Sequence, residues 1–453
     1  MTVLADPPVI KARYPFEFFF EFARDPIGLL TRTAEKNGDI CYFKFGPWRA
    51  YLLNHPDLIQ EVLSGQPQNF HKEPALQITK SILGEGLLNS EEELHKRQRR
   101  LIQPAFHRQR VATYGEIMVE KALGISRDWK DGQTLDMNEQ MMHTALAIVG
   151  KALFGVNLED EAADIDQALG RAMRVFKDWM YRPFPSLWQK FPFPKTLRVR
   201  RARRKLDKTV FKMIAEHRQR GTDNGDLLSM MLFGEDREGG APMGDAQVRD
   251  EAMTILLAGH ETVGNALTWT WYLLSQNPEA EKKLHEELDR VLGGRPPHLN
   301  DIANLRYTEM VFAESMRLLP PAWALGYIAI RDTKIGGYDV PKGSVVNMIQ
   351  YVMHRDRRYW EDPEKFIPER FTPEAKAARP RFAYFPFGGG PRQCIGEPFA
   401  WMEGVLVLAS LARRWAARPA AGYKLELFPS ITLRPKRGLA MVLRERRVFV
   451  PAS

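Results

Sequence analysis

A glycine-rich segment near the C-terminal end of the sequence presents a single cysteine. Cys394 follows Gly388, Gly389 and Gly390 and precedes an apolar stretch, residues 399–411, with helical character. Glycines permit backbone conformations that side chains block, and the N-terminus of a helix stabilises a thiolate. The segment therefore favours Cys394 as a metal ligand, although a buried cysteine is often only a small apolar core residue.

An acidic residue and a hydroxyl-bearing residue are adjacent in the middle of a long apolar stretch. Glu261 and Thr262 lie within the segment Ala258-Gly259-His260-Glu261-Thr262. An acid beside an alcohol can move protons. A helical threonine also commonly donates to the carbonyl four residues earlier, and a helical glutamate is commonly solvated, so the pattern alone leaves both interpretations open.

Two other pairs of residues stand at helical spacing. Glu314 and Arg317 are three residues apart and can form an ion pair on one helix face, although an exposed pair contributes only about 0.5 kcal/mol. His95 and Arg99 are four residues apart in a basic run and can face one anionic group, with Arg99 offering bidentate donation. Simple solvation is the alternative for the rest of that basic run.

Four segments together resemble one family, the cytochromes P-450. Residues 387–396 match its FxxGxRxCxG haem-binding signature, Glu314 to Arg317 match its ExxR element, and Ala258 to Thr262 resemble its oxygen-binding AGxET element. Residues 95–106 resemble its helix that contacts the haem propionates. The segments occur in the family's order, and the resemblance extends over about residues 14–443. It implies the cytochrome P-450 fold, mainly α with a small β portion and a long central helix over the haem.

The resemblance implies how a haem would be held. Cys394 becomes the proximal thiolate ligand of the iron of haem b (iron protoporphyrin IX), and thiolate donation favours O–O cleavage. Phe387 is expected to pack near the sulfur. Arg392, His95 and Arg99 are expected to reach the haem propionates.

The sequence departs from the family pattern at Tyr327. Many relatives place a propionate-binding arginine there, whereas a tyrosine hydroxyl donates one hydrogen bond and carries no positive charge at neutral pH. We expect haem anchoring from this side to be weaker or rearranged.

The same resemblance gives functions to the helical motifs. Gly259, next to Ala258, is expected to leave room over the iron, while Glu261 and Thr262 order water and deliver protons to dioxygen as general acids.

The ExxR element has a structural function by the same comparison. Glu314 and Arg317 are expected to join Arg370 of the segment Phe366-Ile-Pro-Glu-Arg370-Phe and to hold the core on the haem side.

Candidate pocket residues, placed by family position, are apolar without a convergent charge. This composition favours a lipid-like, terpenoid or carotenoid-like substrate over a polar one. The residues are Ile82, Leu87, Phe176, Leu257, Trp323, Leu325 and Ile431. An aromatic stretch, residues 176–193, is expected either to roof this pocket or touch a membrane surface, or simply to pack two flanking helices together.

The elements that must position these residues are mostly helical. Apolar spacings of three and four predict helices over residues 116–154, 164–179, 196–217, 279–292 and 307–318. The longest predicted helix begins near Asp245 and runs to Asn277, where Pro278 ends it. Strand-like runs flank residues 54–56 and recur at residues 336–343.

Composition excludes several classes of protein. The 453 residues, 44% hydrophobic and 27% charged, are typical of a globular chain, and without a linker they predict one large unit. The resemblance implies that this unit is a single haem domain, residues 1–453, with no fused reductase. Two cysteines exclude a disulfide framework and favour the cytoplasm. The net charge of +9 is modest, and a basic helix without interleaved aromatic residues argues against nucleic-acid binding. Neither a signal peptide nor a transmembrane anchor is predicted.

The predicted function is a haem-thiolate monooxygenase that inserts one oxygen atom from dioxygen into an apolar substrate, most simply by C–H hydroxylation. By the resemblance, electrons come from NAD(P)H only indirectly, through a separate ferredoxin or flavodoxin with its reductase. A peroxide-driven peroxygenase or a rearranging enzyme is the alternative within the fold. A haem-thiolate sensor or binding protein without turnover is the alternative of another class.

Overall fold

Helices dominate the part of the chain that the computed structural model describes, namely residues 6–13, 17–45, 48–161, 165, 168, 170, 174–176, 193–221, 225–234 and 242–446. The α-helices are α1 (Glu17–Arg24), α2 (Pro26–Asn37), α3 (Pro56–Gln60), α4 (Pro74–Gln77), α5 (Lys80–Leu83), α6 (Glu92–Ile102), α7 (Arg108–Ala112), α8 (Gly115–Ile125), α9 (Met137–Phe154), α10 (Pro194–Arg220), α11 (Leu227–Phe233), α12 (Asp245–Gln276), α13 (Pro278–Leu292), α14 (Arg306–Leu318), α15 (Gln350–Met353), α16 (Pro373–Ala377) and α17 (Glu397–Ala412).

Short strands form the smaller β portion. They are β1 (Val9–Ile10), β2 (Ile40–Phe45), β3 (Trp48–Leu53), β4 (Phe70–Lys72), β5 (Thr134–Asp136), β6 (Leu325–Ala329), β7 (Thr333–Ile335), β8 (Tyr338–Val340), β9 (Val345–Met348), β10 (Trp415–Pro419), β11 (Leu427–Pro429), β12 (Leu433–Pro435) and β13 (Ala440–Glu445). The prediction of a mainly α fold with a small β portion is confirmed.

The largest sheet carries residues that matter for the site. Its six strands follow the order β1-β2-β3-β9-β6-β4. Antiparallel pairing of β4 with β6 sets Lys72 opposite Tyr327, and antiparallel pairing of β6 with β9 sets Gly326 opposite Asn347. The register therefore brings together residues from two distant parts of the chain, around residue 72 and around residues 326–347.

Helix α12 runs through the core as predicted. It has 32 residues, or about 48 Å at about 1.5 Å per residue, and ends immediately before Asn277 and Pro278. Most of its residues are buried, and it packs closely against α9. Within the described ranges, no helix is both long and apolar enough to cross a membrane.

The prediction of one continuous helix over residues 116–154 is wrong. Helix α8 ends at Ile125 and α9 begins at Met137, with strand β5 between them. The cause is local, because the Asp136 side chain accepts a hydrogen bond from the backbone N–H of Asn138 at 2.9 Å and so caps a new helix.

One other predicted element differs from expectation, and a second is largely untested. The strand expected after Pro56 is instead helix α3, whose first turn is capped by His55 Nδ1, which accepts from the backbone N–H of Asp57 at 3.2 Å. Most of the helix predicted over residues 164–179 lies outside the described residues.

A buried ion pair joins α14 to the irregular segment that follows β9. Glu314 and Arg317 are both 0% exposed, and the guanidinium donates to both carboxylate oxygens at 2.6 and 2.7 Å. Arg317 also donates to the carbonyls of His354, Pro363 and Lys365 at 2.7–3.0 Å. The pair is thus an internal clamp and not an exposed surface contact.

Arg370 approaches the same carboxylate. Its Nε lies 3.5 Å from Glu314 Oε1, and the backbone N–H of Ile367 donates to that oxygen at 2.9 Å. The structure therefore brings Glu314, Arg317 and Arg370 together, as the sequence comparison implied.

Removal of Glu314 is expected to destabilise the protein strongly. Glu314→Ala leaves the Arg317 cation buried without its partner, which costs about 3–5 kcal/mol. Thermal melting and the yield of haem-loaded protein would measure the loss.

Glu309→Ala is the matched control, because Glu309 lies on the same helix but its 3.1 Å pair with Lys376 is largely exposed. That variant should lose at most about 1 kcal/mol. Equal melting temperatures for the two variants would contradict the clamp.

Candidate active site

The loop before α17 is shaped by glycine. Gly388 and Gly390 have φ values of 70° and 66°, in the left-handed region that favours glycine. A Cβ on Gly390 would stand 1.8 Å from the carbonyl oxygen of Leu63. The backbone N–H of Cys394 donates to the carbonyl of Phe387 at 3.0 Å, which closes the loop. The two glycines and this hydrogen bond therefore fix the position of the Cys394 thiol.

Protein atoms surround the Cys394 thiol. Its side chain is exposed, yet burial raises its pKa to about 11, while the backbone N–H groups of Gly396 and Glu397 and the Arg99 cation act in the opposite direction. Cys41, in contrast, is 1% exposed in the core. Of the two thiols, Cys394 is the one placed to bind a metal.

A large cavity lies between α12 and the six-stranded sheet. Its volume is about 690 Å³, and its walls include Ala258 and Thr262 of α12 and Tyr327 of β6. Six of the predicted pocket residues line it, namely Ile82, Phe176, Leu257, Trp323, Leu325 and Ile431. Leu325 also lies against the cysteine loop, since a Cβ on Gly388 would stand 3.4 Å from its Cδ1.

Two predicted residues are placed differently. Leu87 is not among the residues that line the described cavity, whereas its neighbour Leu88 is. Gly259 is expected over the iron but faces α9 instead, where a Cβ would stand 3.0 Å from Val149 Cγ2. The absence of a side chain at Gly259 lets α12 pack closely against α9, and the neighbouring Ala258 borders the cavity.

Cations cluster at the sheet side of the site. Burial, together with the positive charges of Lys72, Arg392 and Arg99, lowers the pKa of His95 to about 3, so this imidazole is neutral at physiological pH. Arg99 donates to the carbonyl of Gln393 at 2.8 Å and so joins α6 to the cysteine loop. The cluster carries more positive than negative charge and fits an anionic group such as a pair of haem propionates.

Lys72 is a site residue that sequence reasoning missed. Its ammonium is buried and donates to the carbonyls of Leu87 and Ser90 at 2.9 Å each. Burial lowers its pKa to about 7, as do Arg392 and Lys80, while Glu91 and Glu251 raise it. No local motif marks Lys72, because its partners come from later in the chain and its place opposite Tyr327 arises from strand pairing.

Tyr327 lies beside this cluster. The Arg392 guanidinium carbon is 5.9 Å from the centre of its ring, and burial raises the pKa of the phenol to about 12. Tyr327 therefore keeps its proton and can donate a hydrogen bond. Arg392 pairs with Glu91, a second residue that the sequence did not reveal.

The predicted proton-transfer residues have partners of their own. Glu261 is buried, accepts a hydrogen bond from the Thr432 hydroxyl at 2.5 Å and lies 3.8 Å from Arg434 Nη1. The Thr262 hydroxyl donates to the carbonyl of Ala258 at 2.6 Å. Both Glu261 and Thr262 border the cavity. The structure thus places the Glu261 carboxyl and the Thr262 hydroxyl together in the cavity wall.

Other predicted contacts involve aromatic residues. The Phe387 ring lies 5.8 Å from that of Trp401 on α17. Phe176 borders the cavity, but residues 177–192 of the aromatic stretch lie outside the described residues. The cavity, the thiol and the cation cluster together fit a haem.

The geometry agrees with the comparisons with known proteins. A family model described as Cytochrome P450 matches residues 8–440. Cyclooctatin synthase from Streptomyces melanosporofaciens is 38% identical over 416 residues, which cover 91% of this chain and 90% of that protein. Cyclooctat-9-en-7-ol 5-monooxygenase from the same organism is 36% identical, with 89% and 87% covered. Pentalenene oxygenase from Streptomyces avermitilis is 32% identical, with 95% and 93% covered.

The match extends over nearly the whole chain and includes relatives named as oxygenases. The protein is therefore an oxidoreductase that belongs to the cytochrome P450 family of haem-dependent monooxygenases.

Proposed function

We propose that this protein inserts one oxygen atom from dioxygen into a terpenoid substrate, with haem b held by Cys394 as the cofactor. The observation that carries this proposal is the placement of Glu261 and Thr262 in the wall of a cavity that is otherwise largely apolar. An acid and an alcohol at that wall suit reduction of dioxygen, which consumes protons.

The cation cluster supports haem binding. When bound, haem supplies the activation of dioxygen, and a thiolate ligand favours O–O cleavage. Lys72, Arg99 and Arg392 offer positive charge to the propionates, while Tyr327 and neutral His95 offer hydrogen-bond donors. Lys72 compensates for the arginine that many relatives have at the position of Tyr327.

Proton transfer follows from the contacts of Glu261. Thr432 and Arg434 hold its carboxylate on one side, and Thr262 stands next to it at the cavity. A turn of the Glu261 side chain away from Thr432 would bring the carboxyl group toward the Thr262 hydroxyl. The carboxylate thus acts as a movable proton carrier between the β12 region and the cavity.

The substrate class follows from the cavity and the relatives. Side chains such as Leu257, Trp323 and Ile431 give the cavity mostly apolar walls, which suit a hydrocarbon skeleton. Relatives named for cyclooctatin and pentalenene support a terpenoid. The paired Glu261 and Thr262 favour a monooxygenase over a peroxide-driven or rearranging enzyme. Substrate-dependent consumption of NAD(P)H with surrogate redox partners distinguishes it from a non-catalytic haem sensor.

Electrons are proposed to come from a separate ferredoxin or flavodoxin with its NAD(P)H-dependent reductase. Arg99 joins α6 to the cysteine loop, and Lys96 and Arg100 of the same helix are exposed. An acidic carrier that docks on this basic helix would stand close to the loop of Cys394.

The cysteine ligand is tested by the spectrum of the reduced CO complex. Cys394→Ala should lose the red-shifted Soret band that a thiolate ligand produces, because alanine donates no electrons to iron. Cys41→Ala is the control and should retain the band, since Cys41 is a core residue. Retention of the band in Cys394→Ala would rule out this ligand.

The proton-transfer pair is tested by coupling. Thr262→Ala and Glu261→Gln should bind haem and substrate normally, but product formed per NAD(P)H should fall several-fold as peroxide or water replaces product. Thr270→Ala is the matched control, because the buried Thr270 hydroxyl makes the same contact to the carbonyl four residues earlier, at 2.8 Å. Unchanged coupling in both active-site variants would count against the pair.

The contribution of Lys72 is tested by transfer of haem to apomyoglobin. Lys72→Met should speed haem loss about 10- to 100-fold, because a hydrogen bond to a charged group contributes about 1.5–3 kcal/mol. Lys80→Met, which removes a surface lysine paired with Glu85 at 2.7 Å, is the control.

The pH dependence of haem affinity gives the same test a second readout. Lys72 has a pKa of about 7 without haem, and an anionic propionate would raise it, so the haem complex binds more protons. Haem affinity should therefore be greatest below pH 7 and fall as the pH rises through 7. Lys72→Met should lose that dependence. An identical pH profile and rate in this variant would exclude Lys72 from propionate binding.

A further inference from the structure

A second carboxyl group in the cavity wall has no part in the proposed proton transfer. Glu73 follows β4 and borders the cavity. Its Oε2 lies 2.1 Å from the position that a Cβ on Gly326 would occupy. The carboxyl therefore fills space that exists because residue 326 has no side chain.

Glu73 differs from its charged neighbours in having no partner. Within the described part of the chain, its carboxyl makes no hydrogen bond or ion pair, whereas Glu261 is held by Thr432 and Arg434. Burial alone raises the pKa of Glu73 to about 7. The Glu73 side chain is only partly buried, and a ligand that fills the cavity would remove its remaining water, so a ligand with a suitable polar group is favoured over one without.

The surroundings of Glu73 are mostly apolar. The sheet contributes Phe43, Leu325 and Val345 to the same cavity. Asn347, opposite Gly326 in the register, donates through Nδ2 to the carbonyl of Tyr51 at 3.2 Å. The Glu73 carboxyl can therefore form hydrogen bonds with a ligand, in a cavity wall that is otherwise suited to a hydrocarbon.

We propose that Glu73 binds a hydroxyl group of the substrate, so that the preferred substrates are apolar alcohols and not bare hydrocarbons. This inference rests on the proposed function and deepens it. The hydroxyl held at the sheet by Glu73 positions the rest of the skeleton toward Ala258 and Thr262 of α12, where oxygen is inserted. Because the substrate already carries a hydroxyl group, an earlier reaction must supply it. That reaction is either a hydroxylation or a ring closure that ends with the addition of water.

A hydroxyl fits this site better than a cation. Lys72, Arg49 and Arg392 border the same cavity, so an ammonium group of a substrate would meet positive charge. A neutral alcohol avoids that repulsion. It donates to an ionised Glu73 and both donates to and accepts from a protonated one.

The test compares three ligands of one skeleton on the ferric holoenzyme. They are geranylgeraniol, the hydrocarbon in which hydrogen replaces its hydroxyl group, and the corresponding trimethylammonium compound, which carries a positive charge but has no lone pair to coordinate iron. Dissociation constants are measured by the Soret shift and by calorimetry. The wild type should bind the alcohol about tenfold more tightly than the hydrocarbon, as a hydrogen bond of about 1.4 kcal/mol gives.

Two independent variants remove the contact. Glu73→Leu should reduce the ratio of the two affinities to about one without weakening hydrocarbon binding. Gly326→Ala should do the same by displacing the flexible end of Glu73, since the added methyl meets the carboxyl and not the backbone. Glu73→Gln should keep most of the preference. Glu85→Leu, the same kind of change at a glutamate outside the cavity, should keep all of it.

Several results would overturn the inference. They are an unchanged preference in Glu73→Leu, equal or unmeasurable binding of alcohol and hydrocarbon by the wild type, and tighter binding of the trimethylammonium compound than of the alcohol. The measurement needs neither electrons nor turnover. Failure of the monooxygenase assignment, seen in the CO spectrum and in product formation, is therefore distinguishable from failure of the alcohol preference.

Discussion

The buried ion pair between Glu314 and Arg317 supports the segment that leads to Cys394. Arg317 binds the carbonyl of His354, and His354 Nε2 in turn accepts from the backbone N–H of Phe385 at 3.0 Å. Burial and the Arg317 and Arg355 cations keep the pKa of His354 well below its ordinary value, so this nitrogen is free to accept. Buried ion pairs contribute little net stability, but removing one member is costly. The pair therefore determines geometry: it holds the chain at Phe385, next to the start of the cysteine loop.

The site divides its charges between two walls. The sheet side holds the cations Lys72 and Arg392, near Arg99, together with the Glu73 carboxyl, whereas α12 contributes Glu261. Glu91 balances one of these cations, so positive charge remains in a partly buried region. Buried charge requires a partner, and an anionic cofactor would complete this part of the core. On the other wall, Glu261 already has partners in Thr432 and Arg434, which agrees with the proposed proton transfer and not with a role in holding the cofactor.

The sequence predicts the parts of the site that depend on neighbours in the chain. Glu314 and Arg317 share one helix face, and the cysteine loop is a contiguous segment, so spacing and motif locate both. Lys72 and Glu73 could not be found this way, because they enter the site through pairing of β4 with β6, more than 250 residues later in the chain. Gly259 shows a subtler failure: a motif identifies the helix, but only packing against Val149 decides which face the glycine occupies. The break between α8 and α9 was missed because apolar spacing continues across a segment that Asp136 ends by capping.

The space beside Gly326 has a consequence for how such a site can change. The Glu73 carboxyl occupies the volume that any side chain at position 326 would need. The two positions are therefore coupled in evolution: a larger residue at 326 is compatible with a short or outward-pointing side chain at 73, and a glutamate at 73 keeps its present place in the cavity wall only with glycine at 326. Covariation between these two columns in an alignment of relatives would record this coupling. Replacement of Gly326 by alanine would then be enough to change the preference from an alcohol to a bare hydrocarbon. This change lies in the sheet and leaves α12, with its proposed proton-transfer residues, undisturbed.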